Sequence, residues 1–289
     1  MIWAVVTKDE MENYKIPSVF RYYREVLGKE NIDLAVVDEA DPLDFVAWSN
    51  IVLLRSANER LINTIHAKGL LSTAEQSDVY RLVRDKKQLC DFLNGFTIRT
   101  PKQHEVTNLK DGHVYFVKPR FGSESFGITK DCICYTIKDV LNQINRIEGE
   151  LKQSVVIEDF IAGTDCTVAC YVNPDNGEVK THAIEIECDE VGSIQTHTGK
   201  FDYNEYCSSL HGKALSEAKR ISEDVFRRLG LKHHARIDFR KDRNGNLYVI
   251  DVNLIPGLGP SAHFAKCLLL TENLSYKDAI NAVVNSASI

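Results

Sequence analysis

Apolar runs at residues 2–6 (IWAVV), 32–37 (IDLAVV) and 51–54 (IVLL) alternate with segments of helical spacing, VFRYYREVL and ANERLINTIHAKG. This alternation predicts a parallel α/β sheet built from the first 70 or so residues. Ligands of such sheets bind beyond the carboxyl ends of the strands, where Lys8, Arg55 and Ser56 stand. Arg55 there is either a planar fork for a substrate carboxylate or a surface residue that caps a helix or pairs with Glu59. Next, SDVYRLVRDKKQLCDFLNG reads as one helix ended by Asn94-Gly95. After Thr100-Pro101 the pattern turns to β in KQHEV, VYFVKP and GITKDCICY, followed by a helix near 137–147 and the strand SVVIEDFI. DCTVACYV and VKTHAIEIE flank the turn NPDNG and predict an antiparallel pair. Residues 191–212 are polar and lack a period, which suggests a flexible active-site loop. KALSEAKRISEDVFRRLG, PSAHFAKCLLL and SYKDAINAVVNSA read as helices, with Pro260 fitting a first helical turn.

The densest chemistry lies in ARIDFRKDRNGNLYVIDVNLIPGLGP. RIDFR and LYVIDVN are short alternating strands, and Asn244-Gly245 would supply the positive φ angles of a hairpin turn. Alternation puts Asp251 and Asn253 on one face, opposite Asp238, while Val252 turns to the core. Three hard oxygen ligands suit Mg²⁺, with Mn²⁺ as an alternative; the other reading is an ordinary acidic surface hairpin. Upstream, Lys118 ends VYFVK and PRFGSESFGI follows, so Ser123, Ser125 and the glycines either cradle phosphate or form a plain turn. No P-loop motif is present. In IEDFIAGTD, Glu158, Asp159, Phe160 and Ile161 could show their backbone to an adenine edge, and Asp165 could accept from ribose hydroxyls. A simple strand and turn would read the same way.

With 289 residues, 44% hydrophobic and 26% charged, the chain can hold one large or two to three small domains. A net charge of −6 without a basic run argues against a nucleic-acid partner. No basic export signal and no stretch of eighteen apolar residues is found, so the expectation is a cytoplasmic protein that does not span a membrane. The eight cysteines form no C-x-x-C pair; Cys132 and Cys134 read as buried thiols on one strand face.

Taken in order, Asp85-Lys86, VKPRFGSESFGI, VVIEDFIAGTD, ARIDF and YVIDVNLIPG resemble the ATP-grasp superfamily, most closely its D-alanine:D-alanine ligase branch, over roughly residues 80–285. That resemblance implies an α/β and α+β architecture: an N-terminal parallel domain (1–78), a central subdomain (79–160) and a C-terminal subdomain with the metal site (161–289), the last two clamping ATP. It implies an ATP-dependent carboxylate–amine ligase acting on amino acids or small peptides through an acyl-phosphate, releasing ADP and phosphate. A homodimer is the default for such enzymes. By position in the motifs, Lys86 and Lys118 match phosphate-contacting lysines, and Glu158, Asp159 and Ile161 the adenine hinge. Asp165 matches the ribose acid, and Asp238, Asp251 and Asn253 the metal ligands. Arg236 matches the guanidinium that stabilises the tetrahedral intermediate, and Lys200 a further phosphate lysine of a mobile loop. Gly257 and Ser261 stand near the position that holds the second substrate's carboxylate.

The chain departs from that pattern too. Asp251 and Asp165 replace the usual glutamates, Gly122 and Gly127 are placed differently, and VLLRSANERL stands where those ligases hold the first D-alanine. The ATP machinery is matched and the substrate pocket is not, so D-alanine dipeptide synthesis is not expected to be the principal activity. A phosphotransferase on the same scaffold, or a nucleotide-binding regulatory protein, remains open on the sequence alone.

Overall fold

A computed structural model describes residues 1–11, 16–122, 126–188 and 205–288. β1 (Ile2–Thr7) leads through the short α1 (Lys8–Met11) and α2 (Ile16–Leu27) to β2 (Ile32–Val37), then β3 (Ile51–Leu54) and α3 (Glu59–Ala67). The three strands are parallel in the order β2-β1-β3. This agrees with the strand–helix alternation, and near-continuous apolar strands are what a sheet covered on both faces requires.

The segment read as one helix is two, α4 (Ser77–Arg84) and α5 (Lys86–Asn94). Between them Asp85 is extended (φ −92°, ψ 98°). Its carboxylate accepts from the backbone N–H of Lys87 (3.0 Å) and Gln88 (3.2 Å), and takes both arms of Arg120 at 2.8 and 2.6 Å. A cap and a bidentate charged pair outweigh one turn of continuous helix. Gly95, the C-cap, stays right-handed (φ −59°); the left-handed residue is Thr97 (φ 59°).

β4 (Gln103–His104), β5 (Tyr115–Pro119), β6 (Ile133–Cys134) and β7 (Val155–Asp159) form a sheet in the order β4-β7-β5-β6, backed by α6 (Ile137–Glu150). Its own small core centres on Tyr115, Val117, Val140, Ile147 and Ile157. GITKDCICY is strand only at Ile133–Cys134; Lys130–Cys132 is a 3₁₀ turn. Both thiols are nevertheless buried, and burial pushes Cys134 up to about 12.

The third sheet is antiparallel: β8 (Gly163–Val172), β9 (Val179–Cys188), β10 (Glu205–Ser209), β11 (His234–Asp242) and β12 (Leu247–Asn253), ordered β10-β9-β8-β11-β12. α7 (Gly212–Arg228), α8 (His263–Glu272) and α9 (Tyr276–Asn285) pack on it. β10 falls in the stretch read as loop, paired with β9. Pro260 precedes α8 and its N-cap Ala262 rather than entering the first turn. Gly163 is obligatory where β8 crosses β11: a Cβ there would lie 1.8 Å from the Lys241 carbonyl oxygen. One core continues from the first sheet into the third, joining Val5 and Leu54 to Ile237 and Phe239.

The β11–β12 hairpin forms as expected, with positive φ at Gly245 (82°) and not at Asn244. The Asp242 side chain closes the turn instead, accepting from Asn244 and Asn246 N–H at 2.9 and 2.8 Å. Asp238 lies opposite Asp251 but Phe239 opposite Val249, so Ile250 is an extra bulged residue at this point of the sheet.

Candidate active site

Between the second and third sheets lies an open cleft. Lys86 and Lys118, the hinge residues Glu158 to Ile161, Asp165, Arg236, Asp238 and Asp251 all line it. The five motifs thus meet at one place. Phe116, Phe126, Ile128 and Ile186 supply apolar walls.

Lys118 and Glu158 sit on the neighbouring strands β5 and β7 and pair at 2.6 Å, each side chain only 7% exposed. The Glu158 carboxylate is therefore committed to a lysine. Lys86 starts α5, and its Nζ donates to the Gly122 carbonyl at 2.7 Å. Desolvation, with Lys118 as a neighbouring cation, lowers its pKa to about 8, against a raising pull from Asp251. Asp165 accepts from Arg240 Nη1 at 2.8 Å, while Arg240 Nε donates to the Ile161 carbonyl at 2.8 Å. Arg240 was missed by the motif reading. Its spacing carried a signal, since Arg236, Asp238 and Arg240 alternate along β11 and all three line the cleft.

Arg236 holds Asp238 in both arms, Nε to Oδ1 and Nη2 to Oδ2 at 2.8 Å each, and Thr167 donates to the same Oδ1 at 2.5 Å. Asp251 is half-buried, and its carboxylate makes no hydrogen bond or ion pair among the described residues. Desolvation and the adjacent Asp238 push its carboxyl above the usual range, against the lowering pull of Lys86 and Arg236. Two facing acids, one without a partner, are a donor set that fits a hard divalent cation. Asn253 does not line the cleft; its Oδ1 accepts from the Ile255 N–H at 2.9 Å.

The N-terminal residues are not at the cleft wall. Arg55 is 1% exposed, Nη2 donates to the Pro256 carbonyl at 2.7 Å, and Nε and Nη1 are buried without a partner. Glu59 pairs with Arg81 instead, which removes the surface reading of Arg55. Ser56 is buried and hydrogen-bonded to the Glu10 carboxylate, which also accepts from Thr7 Oγ1 at 3.0 Å. Lys8 pairs on the surface with Asp38. Gly257 is half-buried and Ser261 exposed; neither lines the cleft. Ser123, Ser125, Lys200 and residues 191–204 of the expected loop lie outside the described residues.

Residues 96–285 match the family model described as D-ala D-ala ligase C-terminus. A D-alanine–D-alanine ligase of Vibrio parahaemolyticus is 28% identical over 202 residues, covering 64% of this chain and 56% of the relative. In that and another curated relative the match spans only about half the relative's length. Among solved structures, the D-alanine–D-alanine ligase of Bacillus anthracis complexed with ATP superposes with a TM-score of 0.73 at 18% identity, covering 99% of this chain and 97% of that one. The VanG D-Ala:D-Ser ligase of Enterococcus faecalis gives 0.73 at 14% identity, covering 99% and 98%. The fold is therefore the ATP-grasp fold of these ligases. No helix among the described residues is long and apolar enough to cross a membrane.

Proposed function

This chain belongs to the D-ala D-ala ligase family through residues 96–285, and on that premise we propose that it is an ATP-dependent carboxylate–amine ligase. It joins amino acids or small peptides through an acyl-phosphate and releases ADP and phosphate. The carrying observation is that two lysines, two acids and an arginine, drawn from segments far apart in the sequence, line one cleft.

The chemistry follows from those groups. A carboxylate is a poor acyl donor because its oxygen leaves badly; phosphorylation makes that oxygen part of a good leaving group. Phosphoryl transfer requires positioning and charge neutralisation more than covalent help. Lys86 and Lys118 hold the phosphate oxygens, with Ser123, Ser125 and Lys200 as further phosphate contacts. The backbone of Asp159 to Ile161, together with Phe160 and Glu158, faces the adenine, and Asp165 the ribose. Asp238 and Asp251, with Asn253 once its Oδ1 gives up the Ile255 N–H, would hold Mg²⁺ or Mn²⁺, which would supply positive charge against the phosphates. Arg236, fixed by Asp238, faces the oxyanion that forms when the amine attacks; losing such a donor costs on the order of 3 to 4 kcal/mol.

Each part of the proposed division into 1–78, 79–160 and 161–289 holds one of the three sheets, which supports it. Substrate binding falls to the N-terminal domain and the loop after β12, with Arg55 the best supported residue; Ser56, Gly257 and Ser261 belong to the same region but stand back from the cleft wall. The unpartnered Nε and Nη1 of Arg55 support its part in that set. Cys90, Cys132, Cys134, Cys166, Cys170, Cys207 and Cys267 are free thiols, which accords with a reducing cytoplasm, and assembly as a homodimer completes the reading.

The test presents amino acids pairwise with ATP and Mg²⁺ and follows ADP, phosphate and coupled product by mass spectrometry. ADP with an amide product is expected. AMP and pyrophosphate, or a stable phosphorylated product without amine, would replace the ligase reading with another.

A further inference from the structure

On the far side of the hinge from the lysines, three residues that no motif joins come together. His104 Nε2 and His113 Nε2 approach the same carboxylate oxygen, Asp159 Oδ1, at 2.5 and 2.7 Å. His104 belongs to β4, Asp159 ends β7 and His113 precedes β5. Their ligand atoms all lie within 4.8 Å of one another. We infer that His104, His113 and Asp159 form a binding site for a divalent transition cation such as Zn²⁺, distinct from the acids of the β11–β12 hairpin.

Two imidazole nitrogens and one carboxylate oxygen are a ligand set that zinc and its neighbours take and that Mg²⁺ does not prefer. The surrounding backbone is already fixed. Asp159 N–H donates to the Lys102 carbonyl at 2.9 Å and Phe160 N–H to the Val114 carbonyl at 3.1 Å. Each histidine therefore sits one or two residues from a backbone bond to the hinge. The buried Tyr115 ring lies against both imidazoles, with centroids 5.2 and 4.6 Å away. Sites carried on strands and braced this way keep their geometry. Ligand atoms of a tetrahedral zinc site stand roughly 3.4 Å apart, given bonds of about 2.0–2.1 Å. A cation would thus move each ring back by less than about 1 Å, replacing the hydrogen bonds to Oδ1. The His113 side chain is 45% exposed, so water can reach the remaining coordination positions.

A second cluster of similar composition makes the contrast. Glu205, Cys207 and His263 also converge, but Lys266 Nζ stands 3.4 Å from Glu205 and 3.6 Å from Cys207, so a cation of the protein's own already serves that carboxylate. Asp159 has only the two imidazoles as ion-pair partners among the described residues.

A cation here would tie β4, the approach to β5 and the end of β7 together behind the cleft wall formed by Asp159 and Phe160. The experiment loads metal-stripped protein with Zn²⁺, removes loose metal by gel filtration and counts bound zinc for wild type, His104→Ala and His113→Ala, each also in the Asp251→Asn background. Wild type should keep one equivalent more than either histidine variant, whether or not Asp251 is present, and the variants should bind that equivalent at least ten-fold more weakly. Equal zinc in wild type and His113→Ala, or none in wild type, would overturn the inference. His113 is half exposed, so its variant decides the matter even if His104→Ala does not fold. ATP binding by His113→Ala serves as the check on folding.

Discussion

Arg236 and Asp238, two residues apart on β11, face the same side of the sheet and bind each other through two parallel 2.8 Å hydrogen bonds. The pair links two tasks. Asp238 keeps the guanidinium charged and aimed, and Arg236 lowers the cost of holding two acids opposite each other on β11 and β12. Arg236→Ala should cut kcat by about 10²–10³-fold, the usual loss for a donor to a developing oxyanion. The ATP dissociation constant should change only a few-fold. Stopped-flow turnover and calorimetry separate the two; weakened ATP binding with unchanged kcat would place Arg236 in nucleotide binding.

Asp251→Asn should trade activity for stability. The carboxyl of Asp251 lies above its ordinary range because of desolvation and Asp238. A raised folded-state pKa means the ionised form opposes folding: the cost appears as pH rises past the unfolded value of about 3.9 and is in force once the folded group is ionised. In EDTA at pH 7 or above the variant should therefore melt higher than wild type, and the difference should vanish near pH 4. Turnover with Mg²⁺ should fall by more than about 100-fold. A variant that melts lower in EDTA would mean that Asp251 has a partner it loses.

Lys86 sets a pH limit on nucleotide binding. Its pKa is lowered to about 8, so it is charged below that pH and neutral above it. ATP affinity without metal should decline as pH rises through about 8, approaching ten-fold per pH unit. Arg, which stays charged, should flatten the profile in Lys86→Arg. The same shift makes Lys86 a folding cost below pH 8 that disappears between about 8 and 10.5. An equal slope in wild type and Lys86→Arg would assign the titration elsewhere.

Arg55 offers the sharpest test of the substrate side. With Nη2 committed to Pro256 and two nitrogens unpartnered, Arg55→Lys should raise KM for the carboxylate substrate about ten-fold or more while kcat changes little. An unchanged KM would make it a structural tie between the N-terminal domain and the loop after β12.

The parts of this fold that sequence made legible are those fixed locally. Alternation located β1, β2, β3, β8, β9, β11 and β12, and turn chemistry located the hairpin. Parts decided at long range were not visible. The break at Asp85 depends on Arg120, thirty-five residues on. β10 exists because β9 offers an edge, while EYCSS has no apolar period of its own. Arg55 is a charge that ordinary partitioning would leave on the surface, and only the packing of the N-terminal domain against the loop after β12 buries it. The His104–His113–Asp159 cluster needs the β4–β7–β5 pairing before its members meet.

The central claim is that a substrate carboxylate oxygen is phosphorylated and then displaced by an amine. It is tested most directly by giving the enzyme that carboxylate labelled with ¹⁸O, together with ATP, Mg²⁺ and the amine, and weighing the phosphate released. One ¹⁸O per phosphate is expected, because the acyl oxygen leaves with the phosphoryl group. Unlabelled phosphate accompanying amide formation would contradict an acyl-phosphate route.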